Sequence, residues 1–198
     1  MRRLVIAVDC DDVLVRTTPF FVNAYNKKYG THATLADARK TDSAIWGDEE
    51  SVVLARWVAL MEEPEYRSLA PDAEEVRVLQ RLAQQHELHL VTARKPEERE
   101  ATQALLDREL PAVFTSLEFV GWTGSKGQVT ERMGADVLID DNASHLHDAL
   151  RHGLASDGAI LFGDYAWSDK TGNYDDLTHC FDWPAVEHVI AALANKEG

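Results

Sequence analysis

The chain has 198 residues, 45% of them hydrophobic and 27% charged, which is the balance of one globular domain with room for a modest insertion and not of a disordered or fibrous chain. Its 20 basic and 34 acidic side chains leave a formal charge of −14, which repels a nucleic-acid backbone and excludes a general DNA or RNA binder, yet admits a small anionic ligand because exposed charges are screened within about 10 Å. Two cysteines, Cys10 and Cys180, are too few for a disulfide framework and fit a reduced, cytoplasmic protein, and no run approaches the ~20 apolar residues of a membrane span.

Leu4-Val5-Ile6-Ala7-Val8 is a short, continuous apolar run that ends in acids. With Met1-Arg2-Arg3 before it the start imitates a signal peptide, but Asp9, Asp11 and Asp12 cut the run short and no small-residue cleavage site follows, so it reads as a first buried strand. An uninterrupted run implies cover on both faces, as in a parallel sheet between helices. Residues 15–71 then break the rhythm, with no good strand. Phe20, Phe21, Ala24, Tyr25 and Tyr29 predict one helix, and Ser51, Val52, Leu54, Ala55, Val58, Leu60 and Met61 another. Pro64 and Pro71 punctuate the return, and the interval reads as a helical insertion seated above the end of the first strand.

From there strands and helices alternate. Asp72 to Gln85 carries Val76, Leu79, Leu82 and Ala83 at helical spacing, and Glu87 to Thr92 is a second apolar run. Pro96-Glu97-Glu98 opens a helix expected to reach Asp107, Leu117 to Val120 is a weaker strand, and Ser125 to Met133 is a helix. Ala135 to Asp140 is a strand, Asn142 to Arg151 a helix, Gly158 to Phe162 a strand, and Trp183 to Ala194 the last helix. Trp167 and Ser168 to Asp176 form a polar stretch without an assigned role. This order predicts an α/β fold with a mainly parallel sheet flanked by helices.

The chemistry-bearing residues sit at strand ends. In open α/β sheets ligands bind beyond the carboxyl ends of the strands, which is where Asp9 falls. Asp9 and Asp11 are two apart and share a face. Asp140-Asp141 ends another apolar run at the equivalent place. If those strands are neighbours, the converging carboxylates call for a cation, and clustered oxygens suit Mg²⁺. Thr92 ends a further strand with a hydroxyl, and Lys126 begins the helix leading to the Asp140 strand. Together these parts describe phosphoryl transfer to a carboxylate. Asp9 is the nucleophile, Asp11 is the acid and then the base, and Thr92, Lys126 and Mg²⁺ stabilise charge on the phosphoryl oxygens.

The ordered set Asp9-x-Asp11, Thr92, Lys126 and Asp140-Asp141 resembles the four motifs of the haloacid dehalogenase superfamily of aspartate-nucleophile phosphatases, over nearly the whole chain. Val8-Asp9-Cys10-Asp11-Asp12-Val13-Leu14, Tyr25-Asn26-Lys27-Lys28-Tyr29-Gly30-Thr31, Leu90-Val91-Thr92-Ala93-Arg94 and Asp136-Val137-Leu138-Ile139-Asp140-Asp141-Asn142 are similar to the branch of 5′(3′)-deoxyribonucleotidases and related nucleotidases. The resemblance implies a Rossmann-like core from residues 1–14 and 72–198, with a helical cap over 15–71. It implies Mg²⁺-dependent removal of phosphate from nucleoside monophosphates. It also implies a metal held by Asp9, by the backbone carbonyl of Asp11 and by Asp140. Asp141 either reaches the metal through bound water or caps the helix that starts at Asn142. Asp12 stands where many members carry glycine.

Other residues keep two readings. Arg94 either contacts substrate phosphate or pairs with an acid. Phe20, Tyr25, Trp46 and Trp57 either stack on a base or form the insertion's own core, with Trp46 and Phe20 the substrate-binding candidates. His145 and His147, two apart on a helix, face different ways, and no histidine metal site is expected. Cys10 reads as a buried small hydrophobe. The rival functions are a phosphatase of a sugar phosphate or phosphoglycolate, a phospho-accepting signalling receiver, and a phosphate-binding protein without turnover.

Overall fold

The computed structural model describes residues 1–38, 40, 42–166 and 174–196. The polar stretch from Trp167 to Asn173 therefore lies outside the described residues. Six strands form one parallel sheet: β1 (Val5–Val8), β2 (Glu87–Thr92), β3 (Ser116–Phe119), β4 (Val137–Asp140), β5 (Ala159–Phe162) and β6 (Thr178–Cys180). Their order is β3-β2-β1-β4-β5-β6. The chain builds outward from β1 to β3, then returns to place β4 on the other side of β1. The gap between the ends of β1 and β4 is thus the point where strand order reverses, the place where open α/β sheets bind ligands.

The apolar runs are continuous because each strand feeds two cores. Ile6, Val8, Leu88, Leu90, Val137, Ile139, Ile160 and Phe162 face one layer. That layer is closed by α4 (Ala73–Gln85), α5 (Arg99–Glu109) and α8 (Trp183–Asn195), through residues such as Leu79, Leu106 and Ile190. The alternate residues Ala7, Val91, Leu138, Ala159 and Leu161 face α6 (Lys126–Met133) and α7 (Ala143–Arg151), which present Val129, Leu146 and Ala149.

Between β1 and α4, in the interval read from sequence as an insertion, lie α1 (Thr17–Tyr29), α2 (Glu50–Met61) and α3 (Pro64–Arg67), with two short 3₁₀ turns between the first two. Phe21, Val22, Tyr25, Trp46, Val53, Leu60 and Tyr66 form a third apolar cluster there. Much of the Tyr25–Thr31 motif has a structural explanation. Gly30 ends α1 at φ 69°, in the left-handed region that glycine enters without strain. The Asn26 amide donates to Ala33 O at 2.8 Å while its oxygen accepts from Ala33 N and Thr31 Oγ1, tying down the turn.

Three features differ from the sequence expectation. β6 is new. It has three residues, of which only Cys180 is buried, so it carries no apolar run. α3 begins at Pro64, which in the sequence looks like punctuation alone; proline is favoured at a first helical position. The helix after Pro96 starts as a 3₁₀ turn and becomes regular at Arg99.

Candidate active site

Asp9 is the first residue past β1. Its N–H donates to Ile139 O at 2.9 Å, continuing the β1–β4 ladder, and so sets Asp9 beside Asp140 at the end of β4. Lys126 arrives from the start of α6. Ser125 caps that helix by accepting from Gln128 N, and the Asp148 carboxylate of α7 binds both Ser125 Oγ, at 2.6 Å, and Gly127 N, at 2.9 Å. Gly127 permits this contact, because a Cβ there would stand 2.6 Å from Asp148 O. The close approach of α6 to α7 delivers Lys126 into the protein, where it is fully buried.

The Lys126 ammonium lies 2.6 Å from Asp140 Oδ2 and 2.7 Å from Asp9 Oδ1. Burial opposes its charge, but the Asp140 and Asp9 carboxylates outweigh burial and raise its pKa. Asp140 is held well below the usual carboxylate range: burial pushes it up, and Lys126 and His145 more than compensate. Asp9 goes the other way. Burial raises it, Lys126 lowers it, and the neighbouring Asp140 and Asp11 raise it further.

Asp9, Asp140 and Asp141 each offer an oxygen, and the three atoms lie within 4.8 Å of one another, all buried. One lysine does not neutralise three acids. Lys126 is at ion-pair distance from Asp9 Oδ1, but no hydrogen bond is aligned on that buried oxygen. An under-satisfied carboxylate oxygen in an all-oxygen cluster with excess negative charge fits a hard divalent cation. Asp141 is in this cluster. The side chain of Asp11 is not.

Asp11 faces Arg94 instead. The guanidinium binds it through two bonds, Nε to Oδ2 at 2.9 Å and Nη2 to Oδ1 at 2.7 Å, and Thr17 Oγ1 adds a third at 2.6 Å. Burial raises Asp11, but Arg94 and Thr17 overcome it and leave the carboxyl below its ordinary value. Arg94 is itself fastened: Nη1 donates to Thr102 Oγ1 of α5, its N–H donates to Thr92 Oγ1 at 3.1 Å, and the Tyr66 ring of the insertion lies 5.8 Å from its guanidinium carbon. Of the two readings for Arg94, pairing with an acid is what the structure contains, and that acid is Asp11 rather than one on the surface.

Asp12 adopts φ 61°, which explains glycine as the usual residue there; aspartate is among the few others that tolerate this region. Its carboxylate accepts from Thr18 N at 2.9 Å and from the Thr18 hydroxyl, anchoring the start of α1. Cys10 is buried, with its thiol pushed up by desolvation.

Trp46 is 3% exposed and packs edge-on against Tyr25 and Trp57, inside the insertion. Phe20 packs edge-on against Phe21 and tilted against Tyr66, and lines a cavity with Lys27, Lys28 and Glu63 on the insertion alone. A different cavity of about 570 Å³ runs between insertion and core, with Arg94, Tyr66, Lys95 and Trp122 among its walls. Sequence reading did not select Thr17, Tyr66, Trp122 or His145. The His145 ring nitrogen lies 3.2 Å from Asp140; its position three residues into the helix that follows Asp140-Asp141-Asn142 was the available signal.

The fold is that of the haloacid dehalogenase-like hydrolases. Solved structures share the fold across almost all of both chains. A haloacid dehalogenase-like family protein from Streptococcus pneumoniae superposes with a TM-score of 0.63 at 14% identity, covering 96% of this chain and 98% of its own. A predicted phosphoglycolate phosphatase from Haemophilus somnus gives 0.66 at 13% identity, covering 96% and 99%. A HAD-hydrolase from Bacillus subtilis, solved bound to magnesium, gives 0.61 at 13% identity, covering 96% and 100%. None of the curated proteins matches the sequence.

Residues 3–195 match the family described as "5' nucleotidase, deoxy (Pyrimidine), cytosolic type C protein", and the chain belongs to that family. It is therefore a hydrolase of the phosphatase and nucleotidase class. Among the described residues no helix is long and apolar enough to cross a membrane.

Proposed function

We propose that the protein is a cytoplasmic Mg²⁺-dependent phosphomonoesterase that removes phosphate from nucleoside monophosphates through an aspartyl-phosphate at Asp9. The observation that carries the reading is the meeting of Asp9, Lys126, Asp140 and Asp141 at the strand-order switch, with Asp11 two residues on. Asp9, Asp140 and Asp141 would hold the ion, together with the Asp11 backbone carbonyl that the family resemblance implies. When bound, Mg²⁺ would offset negative charge on the transferring group. The magnesium-bound fold relative and the unaligned Asp9 oxygen support this assignment.

In the first half-reaction an Asp9 oxygen attacks phosphorus. The bond from phosphorus to the ester oxygen breaks, and Asp11 gives that oxygen its proton, releasing the alcohol. In the second half Asp11 takes a proton from water, the resulting hydroxide attacks phosphorus, and the Asp9–phosphate bond breaks. Phosphate leaves and Asp9 is restored. Lys126 stabilises charge on the phosphoryl oxygens, and the Thr92 hydroxyl is positioned by the Arg94 backbone to contribute a donor. Asp11 cannot deliver a proton while Arg94 keeps it ionised, so the guanidinium has to release it. A phosphate dianion is a competing partner for that fork.

Residues 15–71 act in this reading as a cap over residues 1–14 and 72–198, and their closure excludes water. The nucleotide assignment rests on the family match, with a sugar phosphate or phosphoglycolate as the competing substrate.

Acid-quenched enzyme exposed to labelled substrate should carry acid-stable, hydroxylamine-labile phosphate, and Asp9→Asn should lose it along with at least ~10⁴-fold in kcat. Turnover near wild type in that variant ends the covalent mechanism. Mg²⁺ should also raise the thermal midpoint of the wild type and not of Asp140→Asn. Equal shifts in both proteins would remove the ion from this cluster.

A further inference from the structure

The cavity beside Arg94 is lined by both charged and aromatic side chains. Arg94 and Tyr66 line it together with Val58, Met61, Lys95 and Trp122. Arg94 also grips Asp11, so this cavity shares a wall residue with the acid and none with the Asp9 cluster. An acid that protonates a leaving oxygen has the leaving group beside it, so the moiety carried by the ester oxygen belongs in this cavity.

Trp122 is placed there by the backbone. Thr92 pairs with Phe119 in the β2–β3 ladder, and pairing continues past both strands: Val120 N–H donates to Thr92 O at 3.0 Å and Gly121 N–H to Arg94 O at 3.2 Å. Gly121 at φ 68° turns the chain, and Trp122 follows at once. The segments bearing Arg94 and Trp122 are thereby joined at the carboxyl edge of the sheet. Trp122 is 57% exposed, unlike Trp46 and Trp183 in their respective cores. Lys95 holds its ammonium 4.0 Å from the ring centroid, which orients an indole that also lines the cavity.

We infer that Trp122, oriented by Lys95, is the platform on which the aromatic part of the leaving alcohol stacks, so that base recognition comes from the loop after β3 and not from the tryptophans of the insertion. This rests on the nucleotidase reading above and adds the recognition element to it. The leaving group it fits is a nucleoside, with apolar contact from Val58 and Met61 on the insertion side.

The test compares thymidine 5′-monophosphate with 2-deoxyribose 5-phosphate, which differ by the base alone, in wild type, Trp122→Ala and Trp122→Phe. Wild type should prefer the base-bearing ester in kcat/KM. Trp122→Ala should shrink that preference about tenfold or more, chiefly through KM, and Trp122→Phe should keep most of it. An undiminished preference in Trp122→Ala overturns the platform and leaves the nucleotidase reading standing. Equal losses on the two esters in Trp122→Ala also overturn it, since Trp122 would then serve structure and not the base. No preference in wild type overturns both readings, because no base would be recognised.

Discussion

The carboxyl edge of the sheet and the helical insertion use buried side chains in opposite ways. At the edge, burial is spent on charge: Asp9, Asp140, Asp141 and Lys126 crowd together where water cannot screen them, and Asp9, Asp140 and Lys126 shift one another's ionisation. In the insertion, burial is spent on aromatic packing. Trp46, Tyr25, Trp57 and Phe21 fill their own cluster and leave few rings for a ligand. An aromatic-rich segment can thus spend its rings on its own packing, while Trp122 keeps an exposed ring on the cavity that Arg94 also lines.

Several measurements sharpen or break this contrast. Lys126→Ala should have the largest effect, because it leaves Asp140 and Asp9 as buried carboxylates without a counter-charge. Breaking such a pair costs about 3–5 kcal/mol, and turnover should fall by orders of magnitude. Chemical denaturation checks the first and steady-state kinetics the second; a stability loss that added Mg²⁺ does not partly restore would mean that cluster charge is not the cause.

Trp46→Leu should cost about 2–3 kcal/mol through a cavity in the insertion, while kcat/KM for base-bearing and base-free esters should change by the same factor. A selective loss on the base-bearing ester would erase the distinction between the two regions.

Arg94→Met has a smaller and more specific signature. Arg94 holds Asp11 low, so its removal should raise the Asp11 pKa and widen the pH range over which the acid is protonated. The falling alkaline limb of kcat/KM that reports this acid should move upward. An unmoved limb would mean that Asp11 is not the acid, or that Arg94 has already left it in the free enzyme.

The legible part of the site was the part set by strand ends. Asp9, Thr92 and Asp140 each close an apolar run, and Lys126 opens the helix before one, so a parallel sheet with β1 next to β4 brings the acids and the lysine together. Arg94 is legible without its partner, since nothing local in Thr92-Ala93-Arg94 indicates an acid 83 residues earlier in the chain. Thr17, Tyr66 and His145 escaped for the same reason: a hydroxyl at a helix start, a tyrosine in a four-residue helix and a lone histidine each have ordinary local roles. β6 escaped because an edge strand of three residues buries too little to leave a pattern.

Sequence alone determined the two-faced sheet, the helices that cover it and which acids stand at its rim, because apolar periodicity and strand termination are local properties of the chain. Tertiary structure decided which charges meet: Lys126 with Asp9 and Asp140 through the close approach of α6 to α7, Asp11 with Arg94, and Trp122 with the cavity beside them. Those pairings follow from strand order and from the distance between layers, and a linear pattern carries neither.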